Sequence, residues 1–282
     1  MRYAIHGLVV ESPWELFEVP ATEAQADVKV ELTHTKKVRS AEKPRRTSSR
    51  WDVIREDFCA VVRDGRTIEV FDEVRPEVAS LYLMGACMGA VLFQRGLLPL
   101  HANAVNVGDS AVLLAGERGA GKSTLAAALR ASGHQVISDD LCCLEECRNK
   151  FRVRPGYQRL RLWRESLSLL GISCHGLAKV RPELEKYLLV LDGPVPPPST
   201  VSRLYILRPA QQSGLEALHG LAKLEALDSH VYGGDIEHRH RNFPHILSLL
   251  LPLVRTLPVK ALYRSPQTPL QNLVRTIEQD CS

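Results

Sequence analysis

The sequence predicts an α/β protein with a smaller β-rich lobe at its N-terminus. Three observations lead there. Residues 1–75 break into short runs of alternating or β-branched apolar residues separated by polar turns. A buried-type strand, Ala111-Val112-Leu113-Leu114-Ala115, runs into a Gly-rich loop and then into a stretch of helix formers ending at Gly133. A second short run, His134-Gln135-Val136-Ile137, follows that helix and ends at Ser138-Asp139-Asp140. Strand, helix and strand in this order make a βαβ unit, which brings the C-terminal end of the second strand back to the edge where the glycines lie.

Composition bounds the rest. A chain of 282 residues holds one large domain, or a main domain with a smaller lobe. It is 45% hydrophobic and 24% charged, ordinary for a folded core, and its net charge of +4 does not point to nucleic acid. MRYAIHGLVVESP lacks the apolar run of a signal peptide, and LYLMGACMGAVLF (81–93) falls short of the roughly 20 residues of a spanning helix. The expectation is a cytoplasmic protein with neither membrane nor nucleic acid as partner. Seven cysteines, an odd number at irregular spacing, point to reduced thiols. Cys142, Cys143 and Cys147 match no ordinary zinc spacing.

Along the chain, AIHGLVV, DVKVELT, FCAVVRD and RTIEVF read as strands of the N-terminal lobe, residues 1–96. KKVRSAEKPRRTSSR (36–50) lacks apolar periodicity and reads as a loop, either solvated or a basic rim for an acidic peptide or nucleotide. VASLYLMGACMGAVLFQRG is a bridging helix with Gly96 at its C-terminal cap, leading to the second region, 97–282. There Leu98 to Val107 reads as a strand turning through Gly108-Asp109 into the next. With Val107 opposite Ser110, the register carries His101 to a place opposite Gly116. DGPVPPPST (192–200) is too proline-rich for helix or central strand and reads as a loop beside the site. ILSLLLPLV and an amphipathic PLQNLVRTIEQ close the chain.

The chemistry sits in the glycine loop. Gly116-Glu117-Arg118-Gly119-Ala120-Gly121-Lys122-Ser123, followed by Thr124, fits G-x-x-x-x-G-K-[ST] in the strand–loop–helix setting this motif requires. Its glycines expose backbone N–H groups to phosphates, Lys122 adds a point charge and Ser123 a magnesium ligand, which points to a nucleoside triphosphate. Alternation along a strand sends Asp139 and Asp140 opposite ways, so one can take a proton from an acceptor hydroxyl while the other holds magnesium; the bland reading is a turn or cap for Leu141 onward. His101 reads as orienting an aspartate or touching the γ-phosphate, against a packed core histidine. Arg154, Arg159, Arg161 and Arg164, with Lys186 and Arg203, are either phosphate clamps or solvated and structural cations. His238-Arg239-His240 with His245 reads as a surface segment rather than a metal site.

His101, the loop 116–123 and Ser138-Asp139-Asp140 together resemble the core of HPr kinase/phosphorylase, whose P-loop lies on a fold like phosphoenolpyruvate carboxykinase. The resemblance is specific over residues 97–145. It implies that Lys122 and Ser123 hold ATP and Mg2+, that His101 and the aspartates assist proton removal from an acceptor serine, and that Asp139 is the base with Asp140 on the metal side beside Ser123. The Glu/Arg/Gly-rich signature associated with phosphate removal has no counterpart; 152–171 reads RVRPGYQRLRLWRESLSLLG. That departure implies a kinase without phosphorylase activity, with Tyr157, Leu160, Leu162 and Trp163 packing or gripping a peptide. The β-rich N-terminal lobe, LPLHANAV and PGYQRLRLW look like the HPr-kinase-like proteins of lasso-peptide biosynthesis, implying a precursor peptide whose C-terminal serine is the acceptor. A kinase of a small-metabolite hydroxyl and a nucleotide-gated peptide-binding module stand as alternatives; oligomeric assembly is left open.

Overall fold

The computed structural model describes residues 1–16, 19–33, 45–71, 74–232 and 236–282, with 236–243 described by backbone alone. The chain divides into two units, Met1–Pro99 with Tyr232–Leu247, and Leu100–Val231 with Ser248–Ser282. The expected division at 96/97 thus falls slightly early, and it misses the return of Tyr232–Leu247 to the first unit.

The first unit carries β1 (Arg2–Ile5), β2 (Leu8–Glu11), β3 (Val28–Thr33), β4 (Arg50–Ile54), β5 (Cys59–Arg63) and β6 (Thr67–Phe71), in sheet order β1-β2-β3-β6-β5-β4. AIHGLVV, expected as one strand, is a hairpin instead. Ile5 pairs with Leu8 and the two residues between, His6 and Gly7, both have positive φ, 51° and 74°. That is the backbone a tight two-residue hairpin turn needs. The basic segment 36–50 lies mostly outside the described residues, and its last residue, Arg50, begins β4, a strand the sequence reading missed.

The bridging helix α1 spans Pro76–Gln94. It ends as expected at Gly96, φ +71, where the Gly96 and Leu97 N–H groups donate to the Phe93 and Leu92 carbonyls, a Schellman closure. A π-turn at Leu83–Cys87 interrupts it, which periodicity did not announce. Gly85 and Gly89 leave room for Tyr232: a Cβ on Gly89 would stand 2.6 Å from the tyrosine ring. By length and composition this helix could cross a membrane, but 72% of it is buried, as in the core helix of a folded unit.

In the second unit β8 (Ala102–Val107), β9 (Ser110–Gly116), helix α2 (Lys122–Ala131) and β10 (Gln135–Ser138) follow one another after β7 (Leu98–Leu100). Further on come β11 (Cys142–Cys147), β12 (Lys150–Arg154), β13 (Arg159–Trp163), α3 (Arg164–Leu169), β14 (Lys186–Val190) and β15 (Ser199–Pro209). β16 (Gly214–Ala217), α4 (Gly220–Asp228), α5 (Ile236–Thr256), β17 (Val259–Arg264) and α6 (Leu270–Cys281) complete the chain. β15 is the hub: it runs parallel to β9 and to β17, and its first residues pair with β12. Such a strand is covered on both faces, and Leu204, Tyr205, Ile206 and Leu207 are all buried. The amphipathic tail expectation holds: Leu273, Val274 and Ile277 of α6 join Leu125 and Leu129 of α2 in one core. Each such burial is worth about 1.5–3 kcal/mol.

The βαβ expectation needs correction. β10 runs in the direction of β9 but does not pair with it; β8 lies between, antiparallel to both. The hairpin β8–β9 takes the place beside β9 before α2 crosses over, so β10 can pair only with the hairpin's outer strand. The proline-rich segment is also misplaced by the sequence reading. Pro197 and Pro198 line a cavity with Gly108 and Asp109, at the end of β9 away from the glycine loop.

Candidate functional site

The glycine loop connects β9 to α2 as a chain of left-handed residues. Gly116, Gly119 and Gly121 have φ of +143, +88 and +97, values that L side chains rarely adopt. A Cβ on Gly116 would meet the Leu207 carbonyl of β15 at 2.8 Å, and one on Gly121 would meet Nη1 of Arg264 at 2.4 Å. Lys122 and Ser123 open the helix, with Gly121 as its N-cap. Unsatisfied N–H groups and the helix dipole make such a terminus a place for anions. Lys122 is 8% exposed and curls back, its Nζ donating to the Gly116 and Glu117 carbonyls at 2.8 and 3.2 Å. Burial pushes its ammonium down, with Asp140 and Asp139 opposing. The Thr124 hydroxyl bonds that of Ser166 on α3 at 2.7 Å.

The register expectation for His101 holds. Val107 pairs with Ser110 and Ala102 with Ala115, which leaves His101 one step past the ladder, opposite Gly116. The expected single strand, however, breaks there into β7 and β8, and the His101 N–H donates to the His230 carbonyl. Its Nδ1 lies 3.0 Å from the Asp140 carbonyl and 3.4 Å from the Asp140 carboxylate. Burial lowers the imidazole's pKa while Asp140 pulls it up.

Asp139 and Asp140 do part, but not through strand alternation. β10 ends at Ser138; Asp140 takes φ +69, and the Leu141 N–H closes onto the Asp139 carbonyl. Aspartate is among the few residues that accept this conformation. Asp139 is 2% exposed and goes down to the loop. One of its oxygens accepts from the Ser123 hydroxyl at 2.9 Å and from the Asn103 amide at 2.6 Å, and the other from the Arg161 N–H at 3.0 Å. Burial raises its pKa, Asp140 adds to that, and Arg161 opposes. Asp140, about a third exposed, faces the cleft between His101 and Arg161, whose guanidinium stands 3.6 Å away. Burial would raise its pKa, but Arg161, His101, Lys186 and Lys122 together hold it below the usual carboxylate range. The carboxylate beside Ser123 is therefore Asp139, where the resemblance implied Asp140.

His101, Lys122, Ser123, Asp140 and Arg161 line a cleft of about 380 Å3 with Arg118, Trp163, Glu165, Lys186 and Arg264, and Asp139 lies buried behind Ser123. Of the arginines in 152–164, only Arg161 lines it. Arg154 pairs with Glu145, Arg159 is buried over the Tyr157 ring, and Arg164 pairs with Glu185. Lys186 reaches it from β14, stacked over Trp163 at 5.5 Å, while Arg203 pairs with Asp280 instead. Tyr157, Leu160 and Leu162 are core. Arg264 and Asn103 are among the site residues that escaped the sequence reading, with Glu165 and Ser166 of α3. Arg264 lies at the end of β17, which the hub strand alone brings to the loop, so nothing local announced it. Asn103 carried a usable signal, an amide at a strand position two residues from His101. The side chains of 238–240 lie outside the described residues, and the His245 ring packs edge-on against Phe93 at 4.7 Å. Among the described residues no cluster of three His, Cys, Asp or Glu side chains has metal-ligating geometry. Cys142 and Cys143 are buried in β11, with Cys143 pushed up to about 12 by burial.

Taken together, fold and site define an α/β protein with an anion cradle at a helix N-terminus, flanked by two carboxylates of different environment. The Ser123 hydroxyl and the Asp139 carboxylate are hard oxygen donors in contact, the type that suits magnesium. No family model matches the chain. Over 111 residues it is 34% identical to HPr kinase/phosphorylase of Mycoplasmopsis pulmonis (strain UAB CTIP), covering 38% of this chain and 36% of that protein. The chain's match thus spans about a third of the relative's length. The structure of the HPr(Ser) kinase/phosphatase from Coxiella burnetii aligns with 64% of this chain and 91% of that one, at 14% identity and a TM-score of 0.31.

Proposed function

We propose that the chain is an ATP- and magnesium-dependent kinase that transfers the γ-phosphoryl group to a serine hydroxyl of a peptide or small protein. One observation carries the reading. The loop G-x-x-x-x-G-K-S and Asp140, beside His101, line one cleft, and Asp139 lies buried behind it on the Ser123 hydroxyl. The local similarity to HPr kinase/phosphorylase supports it.

In this reading the loop N–H groups, Lys122, Arg118 and Arg264 bind the phosphates. Ser123 and Asp139 would hold a magnesium ion, whose chemistry when bound would be to neutralise phosphate charge. This reverses the aspartate roles implied by the resemblance, because Asp139 is engaged by Ser123, Asn103 and the Arg161 N–H and does not line the cleft, whereas Asp140 does. Asp140 faces the cleft, is kept ionised by its cationic neighbours, and takes the serine proton. His101, kept neutral by burial, fixes the Asp140 turn through the carbonyl contact. Phosphoryl transfer needs mainly positioning and charge stabilisation, so a weak base in the right place suffices. Lys186 and Arg161 stand where charge on the transferring group develops. As acceptor we favour the C-terminal serine of a lasso-peptide precursor, on the likeness of LPLHANAV and PGYQRLRLW.

The test is incubation with labelled ATP and magnesium, offering serine peptides in one arm and small hydroxyl metabolites in the other. We expect a phosphate-sized mass gain on a peptide, lost in Lys122→Ala with circular dichroism unchanged. Equal transfer by Lys122→Ala and the unaltered chain refutes the reading.

A further inference from the structure

We propose that Asn103 is a positioning residue of the magnesium–nucleotide site, its buried amide holding Asp139 and the Ser123 hydroxyl side by side. The inference rests on the reading of the glycine loop given above. Asn103 lies in β8, paired with Leu114 of β9 and flanked on the other side by β10. It is wholly buried. Alternation puts it on the face of Val105 and Val107, which pack in the core with α2, so it sits under the first turn of that helix. An apolar side chain would be the ordinary occupant of such a place.

The amide has a specific task instead. Its Nδ2 donates to Asp139 at 2.6 Å and stands 3.4 Å from the Ser123 hydroxyl. One NH2 group therefore spans the two oxygens that would hold the cation, one from β10's end and one from α2's start. β8 lies between β9 and β10 in the sheet and so carries the amide to both oxygens, which gives the intervening strand a chemical role. The other end of the amide points to a ligand. Asn103 Oδ1 is buried and has no hydrogen-bond partner among the described residues. Interiors rarely leave such an acceptor unpaired. A water of a hydrated magnesium ion, which usually keeps several, is a donor of the right kind beside Ser123 and Asp139. Groups that orient metal ligands are typically needed for metal affinity itself.

The experiment is calorimetric titration of ATP with and without magnesium, on the unaltered chain and on Asn103→Leu. We expect metal-free ATP binding to be retained and the strengthening by magnesium to fall by about tenfold or more. The second variant is Asn103→Asp, with melting temperature as readout. A third carboxylate here should lower the metal-free melting temperature, and magnesium should raise it by more than in the unaltered chain. If the leucine variant does not fold, the aspartate variant decides. Undiminished magnesium strengthening in Asn103→Leu overturns the inference, as does an Asn103→Asp loss that magnesium does not relieve. If the unaltered chain itself shows no magnesium-dependent ATP binding, the kinase reading fails rather than the role of Asn103 alone.

Discussion

Replacing Gly121 with alanine tests how the loop and Arg264 share one space. The new Cβ would stand 2.4 Å from Nη1 and 3.7 Å from Cζ of Arg264, at a backbone φ of +97. Two separate penalties follow. Holding an L side chain in the left-handed region costs about 1–2 kcal/mol of stability. The overlap falls on the tip of a flexible side chain, so Arg264 can swing out of the cleft at little further cost to folding. In the proposed reading, what that swing removes is a guanidinium that would stand beside the phosphates. A charge-assisted hydrogen bond is worth about 1.5–3 kcal/mol, so ATP binding should weaken by about 10- to 150-fold. The assay is a double-mutant cycle of Gly121→Ala and Arg264→Ala, with urea unfolding for stability and calorimetry for magnesium–ATP affinity. On the Arg264→Ala background the folding cost should persist and the affinity cost should nearly vanish. If Gly121→Ala weakens ATP binding equally with and without Arg264, the guanidinium has no part in holding phosphate and the reasoning is refuted.

The aspartates should separate in the same titration: Asp139→Asn loses the magnesium dependence of nucleotide binding, whereas Asp140→Asn keeps it and loses turnover. Two variants with identical binding would refute the division. Away from the site, Glu185 is held at about 2 by the Lys179 hydrogen bond, with help from Tyr187 and Arg164. Its folded pKa lies below the unfolded value of about 4.3, so this contribution is present above that value and is lost as pH falls through about 2. Glu185→Gln should therefore lower the melting temperature at neutral pH, by an amount that salt reduces and that shrinks as pH falls below about 4. A deficit unchanged toward pH 2 would show that the ion pair is not its source.

Much of this molecule was legible before its structure. The strand Ala111–Ala115, the glycine loop and α2 follow from local chemistry, because left-handed φ values favour glycine and the run from Lys122 to Ala131 is rich in helix formers. The Gly96 closure of α1 and the amphipathic α6 are local in the same sense, and the place of His101 opposite Gly116 follows from the tight turn between Val107 and Ser110. AIHGLVV was misread because a two-residue turn of His6 and Gly7 interrupts the apolar pattern without breaking it.

What the sequence alone determined, then, is a glycine loop of the pattern G-x-x-x-x-G-K-[ST] between a strand and a helix, and the polar residues near it in the chain. Only the tertiary structure decided which of them meet. Strand order is set by pairing and packing over the whole sheet, so β8 comes between β9 and β10 and brings Asn103 to Ser123 and Asp139. The left-handed turn at Asp140, which no alternation rule contains, sends Asp139 to the loop and Asp140 to the cleft. Arg264 reaches Gly121 from well over a hundred residues away because β15 pairs with both β9 and β17. Short-range patterns carry turns, caps and periodicity; contacts between distant segments depend on how the sheet closes its hydrogen bonds and buries its faces, and that is a property of the folded chain as a whole.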